Sequence, residues 1–384
     1  MKSILAVTGA RAEFGILLPV LRAIQKESEL SLSVAVTGLH LLPKYGNTLG
    51  DVKRAGFNPH IVPMYDTGDN AGEQATRAFA KAVVGFGELI AKQQPDIVFV
   101  VGDRLEPFAA VVAAATQGKF IAHIHGGDTT NCGQKDDSIR HSISKFAHFH
   151  FAASASSAER LRKMGEEESR IHQVGSPALD TLLGEDPAPK EELYADLGFD
   201  PTQPVVMVLQ HSVSMESANA YDQMCITLRA VIELGHQTLV LYPNNDPGSG
   251  GIIRAIEELR ARALPQVRVQ KSLDHHTYLS LLRYADCIVG NSSSGLIEAP
   301  AVGLPNISVG TRQQGREHGA NTLFVPHDMQ AIQGVVAKAR SPRFRARLLK
   351  QKSPYGDGHA SEKIVQILAN AVLTQDFLRK RITY

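Results

Sequence analysis

Long apolar runs are missing from this chain: none reaches the ~18 residues that mark a membrane-crossing helix. The short run at 1–8 meets Arg11 almost at once and is too brief for a signal peptide. Cysteine is scarce as well. Cys132, Cys225 and Cys287 lie far apart and form no CxxC pair, which argues against a disulfide framework and a zinc knuckle and suits a reducing compartment, the cytoplasm. Neither sign of charge is in excess, since 40 Lys+Arg stand against 39 Asp+Glu. No global field would therefore recruit nucleic acid or an anionic membrane, and an anionic ligand has to be held locally. The glycine-rich GxGxxG signal is also lacking, and no acidic residue follows the second strand to grip an adenine ribose, so nicotinamide binding is disfavoured.

What the sequence does contain is alternation. Its 384 residues are 43% hydrophobic, enough for two cores of roughly 150–200 residues each. Short β-branched runs alternate with segments of helical period, the pattern of an α/β fold with parallel strands joined by crossover helices. Strands are expected at 4–8, 31–36, 60–63, 96–101, 120–125 and 148–152, and helices at 14–27, 72–93, 106–117 and 154–164. Gly184-Glu-Asp-Pro-Ala-Pro-Lys-Glu-Glu reads as a hinge. A second series follows, with strands at 205–209, 237–241, 267–270, 287–289, 306–309 and 322–325 and helices at 216–234, 252–263, 276–284, 293–301 and 329–339. Two Rossmann-like domains result, 1–180 and 190–360, and the last helix, 361–377, suits either of them.

In open parallel sheets the functional groups collect where strands end. Thr8-Gly-Ala-Arg11 opens the first helix, either as a tight turn or as a place where backbone N–H groups and Arg11 hold an anion. Asp103 leaves the apolar strand as a helix cap or as a carboxylate offered to a crevice. In His123-Ile-His125-Gly-Gly-Asp128 the period of two puts both histidines on one face, where a neutral imidazole beside a carboxylate suits proton transfer better than metal binding. Asp136 stands four residues before Arg140, as a surface ion pair or as a second carboxylate for the same crevice. His211 and Asn244 follow two strands of the second half, each in a solvated turn or on a ligand. Gly290-Asn-Ser292-Ser293-Ser-Gly-Leu-Ile-Glu298 reads as a phosphate cradle with a carboxylate for two ribose hydroxyls, or as a capped helix start. Arg312 and Arg316 sit in a loop that either clamps a diphosphate or is solvated.

Together these segments resemble the UDP-N-acetylglucosamine 2-epimerase family, most closely its hydrolysing branch. The carriers are TGARAEFG near the start, YGNT at 45, GDR at 102, HIHGGD at 123, DDSIRHSISK at 136, QHS at 210, PNNDPGS at 243, GNSSSGLIE at 290 and GTRQQGRE at 310, nine in family order. The resemblance implies a glycosyltransferase-B-like pair of Rossmann-like domains facing each other across a cleft, with a last helix crossing back. It implies phosphate held by Ser292 and Ser293, ribose by Glu298, and a pyrophosphate neighbourhood of Arg11, Asn244 and Arg312. Asp103, Asp136 and His211 would sit at the sugar, as would His125 and Asp128. The other branch usually carries Glu where His125 stands, and hydrolysing members often carry Glu in place of Asp128, so acid and base stay unassigned. The implied substrate is a UDP-sugar, without cofactor or metal, and the implied assembly a homodimer. Hydrolysis of a UDP-linked 2,4-diacetamido-2,4,6-trideoxy sugar, non-hydrolysing epimerisation, a glycosyltransferase of the same architecture and a nucleotide-sugar-binding regulator are the competing readings.

Overall fold

The computed structural model describes residues 1–384 apart from 44–47, 67–71, 131–134, 245, 349 and the side chain of Lys135. Most of YGNT, Cys132 and part of the loop before Asp136 thus lie outside the described residues. The chain divides into two compact units: Met1–Asp128, Lys135–Thr181 and Gly358–Tyr384 form unit 1, and unit 2 is essentially Leu182–Asp357.

Unit 1 is built on a wholly parallel sheet of β1 (Lys2–Thr8), β2 (Leu30–Val36), β3 (His60–Ile61), β4 (Ile97–Val101), β5 (Phe120–Ile124), β6 (Phe149–Ala152) and β7 (Ile171–Gln173), in the order β3-β2-β1-β4-β5-β6-β7. The central strand Ile97-Val-Phe-Val-Val is buried throughout, as a parallel strand covered on both faces must be. On one face Leu17, Val20, Leu21 and Ile24 of helix Arg11–Lys26 share a core with Ile364, Val365 and Leu368 of helix Ala360–Asn370. Phe86 and Ile90 of helix Gly72–Gln93 and the alanines of helix Leu105–Thr116 fill the other.

Unit 2 repeats the plan with β8 (Val205–Leu209), β9 (Gln237–Leu241), β10 (Val267–Gln270), β11 (Cys287–Gly290), β12 (Asn306–Val309) and β13 (Thr322–Val325), parallel in the order β10-β9-β8-β11-β12-β13. Its core joins Val206, Val208, Val240, Val289 and Ile307 of the sheet to Met224, Leu228, Ile252, Ile256, Ile332 and Val336 of the helices. Both units have the Rossmann strand order, which reverses beside the first strand and leaves a switch point at the carboxyl ends of β1 and β4, and of β8 and β11.

Several elements depart from expectation. The first helix starts at Arg11, three residues early, behind an Ala10 that offers no side-chain cap. The helix expected at 293–301 is a single turn, Ser294–Ile297, followed by the 3-10 turn Ala299–Val302. Pro300 causes the break, because it has no N–H for a helical bond and its ring crowds the carbonyl four residues back. The last helical stretch likewise divides into Ala360–Asn370 and Gln375–Leu378. Among the described residues no helix is long and apolar enough to cross a membrane.

Candidate functional site

At the switch point of unit 2, Gly290 ends β11 with φ +138°, and a Cβ there would land on the Leu209 carbonyl oxygen. The absent side chain lets the loops after β8 and β11 run side by side. Asn291 then ties them: its Oδ1 accepts the His211 N–H at 2.6 Å while its Nδ2 donates to the His211 carbonyl at 2.8 Å. His211 is 7% exposed, so the solvated-turn reading does not hold. Burial, and after it the Arg312 cation, push its pKa well below the usual histidine value. Its Nδ1 accepts the Asn244 N–H at 3.0 Å, which places the ring proton of the neutral imidazole on Nε2.

The opening of helix Ser294–Ile297 stands beside this imidazole loop. Ser292 Oγ accepts the Ser294 N–H at 3.3 Å, and Tyr278 Oη donates to Ser294 Oγ at 2.6 Å. Ser293 is the N-cap residue without a side-chain cap bond, and Glu298 closes the turn at its C-cap. Burial, then the Glu298 charge, hold the Tyr278 phenol far above its ordinary value, so it stays protonated as a donor. The loop expected to be either a clamp or solvated is anchored. Arg312 Nη1 and Gln313 Nε2 donate to the Asn291 carbonyl at 3.3 and 2.9 Å, and Arg312 Nη2 lies 3.5 Å from Asp246. Thr311 Oγ1 donates to Glu216 at 2.7 Å. Asn244 is exposed. Unit 2 thus gathers His211, Asn244, Ser292, Ser293, Glu298 and Arg312 around one switch point.

In unit 1, Asp103 does not cap the helix after β4; that N-cap is Arg104, without a side-chain bond. Its carboxylate, 27% exposed, pairs with Arg140 Nη2. Arg140 is buried, and its Nη1 donates to Asp137 Oδ1 at 2.6 Å and to the Asp128 carbonyl at 2.9 Å. The surface position expected for Arg140 does not hold: the arginine is turned inward, where Asp137, one residue closer than Asp136, and Asp103 hold it. Asp136 is half-buried in the first turn of helix Lys135–Phe146.

The two histidines of HIHGGD part company. His123 lies within β5, fully buried, with Nε2 2.8 Å from the Gly102 carbonyl and Nδ1 3.3 Å from Ser144 Oγ; burial brings its pKa down to about 3. His125 falls past the strand end with φ +65°, so the alternation of strand faces does not extend to it. Its Nδ1 meets Asp128 Oδ2 at 3.1 Å and its Nε2 meets Ser176 Oγ at 3.2 Å, while Asp128 Oδ1 accepts from Ser157 Oγ at 2.6 Å. A non-glycine residue in left-handed conformation costs ~1–2 kcal/mol and persists where the surroundings over-determine it. Four hydrogen-bonded side chains supply that constraint here.

Behind the loop of Arg11, itself the half-buried first residue of its helix, lies a group that sequence reasoning missed. Glu13 Oε2 accepts the Gly9 N–H at 2.7 Å, and Arg104 stands 3.9 Å from Glu13 and 3.4 Å from Glu106. Burial first, then the Glu106 charge, raise Glu13 to about 8. The signal was present: Glu13 shares a helical face with Leu17, Val20, Leu21 and Ile24. Asn291 and Ser176 left no such trace, because their partners are 80 and 51 residues away.

Among known proteins, residues 22–369 match the family described as UDP-N-acetylglucosamine 2-epimerase. The chain is 33% identical over 385 residues to the UDP-N,N'-diacetylbacillosamine 2-epimerase (hydrolyzing) of Legionella pneumophila, covering 100% of both. It is 34% identical over 345 residues to the UDP-N-acetylglucosamine 2-epimerase of Neisseria meningitidis serogroup B, covering 89% of this chain and 88% of the relative. A solved Neisseria meningitidis UDP-GlcNAc 2-epimerase, bound to UDP-GlcNAc, has the same fold: its TM-score is 0.82 at 19% identity, over 96% of this chain and 100% of that one.

Proposed function

The chain belongs to the UDP-N-acetylglucosamine 2-epimerase family, in its hydrolysing branch, and from that premise we propose that it converts UDP-N-acetylglucosamine and water to UDP and N-acetylmannosamine. The observation that carries this reading is the unit 2 switch point, where serine-tipped amides, a guanidinium and a neutral imidazole donor stand together. Such a set suits a diphosphate that leaves with its electron pair.

In this reading Ser292 and Ser293 hold phosphate, Glu298 accepts from the ribose hydroxyls, and Arg11, Asn244 and Arg312 serve the pyrophosphate. The proton on carbon 2 of the sugar has no carbonyl beside it to acidify it, so its removal depends on departure of UDP from carbon 1. Asp103 or Asp136 takes that proton, and the C–H electrons form the carbon 1 to carbon 2 double bond of a glycal. Water then adds to carbon 1 and a proton returns to carbon 2 on the opposite face, which inverts that centre and frees the sugar. His211 donates through Nε2 to the departing oxygen; its depressed pKa favours this over proton shuttling near neutrality. His125 and Asp128 position the loop whose carbonyl supports Arg140, and through Arg140 they position Asp103.

A second reading rests on the end-to-end alignment with the Legionella relative: the substrate is the UDP-linked 2,4-diacetamido-2,4,6-trideoxy sugar. Incubating the protein with each nucleotide sugar, in EDTA and deuterated water, decides between them. UDP and N-acetylmannosamine with deuterium at carbon 2 are expected from UDP-N-acetylglucosamine. Turnover of the diacetamido sugar alone would move the assignment to the second reading, and a released sugar without deuterium would overturn the elimination. Asp103→Asn, which keeps an acceptor for Arg140, is expected to melt within a few degrees of the wild type and to lose about 10²–10⁴-fold in kcat.

A further inference from the structure

Asn291 was not among the candidate residues, yet it is where the loops of the unit 2 switch point meet. Its amide brackets the His211 backbone, accepting from the N–H and donating to the carbonyl. Its own N–H donates to the Leu209 carbonyl at 3.1 Å, so the bracket is fixed to β8 as well as to β11. Its carbonyl takes the Arg312 and Gln313 donors. Gln313 and Asn291 are both buried, which removes water as a competing partner. On the far side of His211 the ring is met by the Asn244 N–H, and Asn244 belongs to the loop whose Asp246 pairs with Arg312. The loops after β8, β9, β11 and β12 thus close a circuit through one side chain and its carbonyl.

We propose that Asn291 is a positioning residue that holds the His211 backbone so that the imidazole presents Nε2–H in one fixed direction, in register with Arg312 on the leaving-group side. The inference rests on the reading that His211 and Arg312 serve a departing diphosphate. Asn291 acts through His211 and does not touch substrate. With the bracket gone, the His211 peptide is free to rotate, the ring slips from the Asn244 N–H, and both tautomers become populated. The guanidinium remains, because Arg312 rests on a carbonyl that every residue at 291 would supply. Loss of the side chain should therefore separate the chemical step from nucleotide binding.

The test is a cycle of Asn291→Ala, His211→Gln and the double variant, with kcat, KM and UDP affinity for each. Asn291→Ala is expected to lower kcat about 10–100-fold, as a small misplacement of a reacting group does, with KM and the UDP dissociation constant within about threefold of wild type. In the His211→Gln background the same change should cost no more than about twofold. A full loss in that background, an unchanged kcat in the single variant, or an equal loss in UDP affinity would each overturn the proposal. Ring ¹⁵N shifts of His211, assigned by difference from His211→Gln, supply a readout that needs no substrate. Wild type should show a single Nε2–H tautomer and Asn291→Ala a mixture. If the wild type turns over neither UDP-sugar while the tautomers behave as stated, the functional reading fails and the bracket stands. Unmixed tautomers in the variant would remove the bracket whatever the activity. Should Asn291→Ala not fold, Asn291→Asp retains the acceptor half, loses the donor to the His211 carbonyl and is read by the same measurements.

Discussion

Glu13 is an acid placed where water does not reach. Its pKa of about 8, raised by burial and by Glu106, means that the folded protein keeps the proton over a range in which the unfolded chain has lost it. The stabilisation is complete below the ordinary carboxylate range and disappears as pH rises through about 8. Glu13→Gln carries no titrating group, so its stability against urea should lie nearest that of wild type at pH 4 and exceed it at pH 9, by an amount on the order of several kcal/mol. Equal pH slopes for both proteins would show that Glu13 is ionised in the fold. At this scale the sequence was readable where structure follows a local motif, as at 290–298, where the end of β11 leads into the start of a helix. It was silent where a role depends on a distant partner: Arg140 turns to Asp103 across 37 residues, and only the fold brings them together.

Strands were the most legible elements. Runs such as 97–101 and 205–209 are β-branched and fully apolar because both sheet faces are covered. β7 escaped notice because three residues, one of them His172, carry no period. Helix Ala360–Asn370 shows a subtler gap. Its own N-cap, His359, makes no side-chain cap bond, and the first-turn amides of Ala360 and Ser361 are accepted instead by Asp180 at 3.0 and 2.6 Å. A cap supplied from 180 residues away has no sequence signature. Asp180→Ala is expected to lower stability by about 1–2 kcal/mol, the usual worth of a capping carboxylate, measured as a shift of the urea midpoint at unchanged slope. A change below a few tenths would mean that water replaces the cap without loss.

Each unit has a core of its own. With the nucleotide held by unit 2 in the proposed reading, UDP at a hundred times its dissociation constant should stabilise the transition of that unit by about 2.7 kcal/mol. The corresponding rise is roughly 5–10 °C by scanning calorimetry. A shift of both transitions together would show that the units melt as one, and no shift would count against nucleotide binding. Unit 1 draws on both ends of the chain. Its core is shared with Ile364, Val365 and Leu368, Lys380 sets its ammonium 2.6 Å from buried Glu166, and Arg170 Nη1 donates to the Phe377 carbonyl at 2.7 Å. Translation therefore delivers the parts of unit 1 at two widely separated times. Having passed Thr181, a ribosome must spell out all of unit 2 before it reaches the missing helix, an interval on the order of tens of seconds. During that wait the part of the unit 1 core that Ile364, Val365 and Leu368 complete stays open. A circular permutant beginning at Gly358 would emerge with its closing piece already in hand.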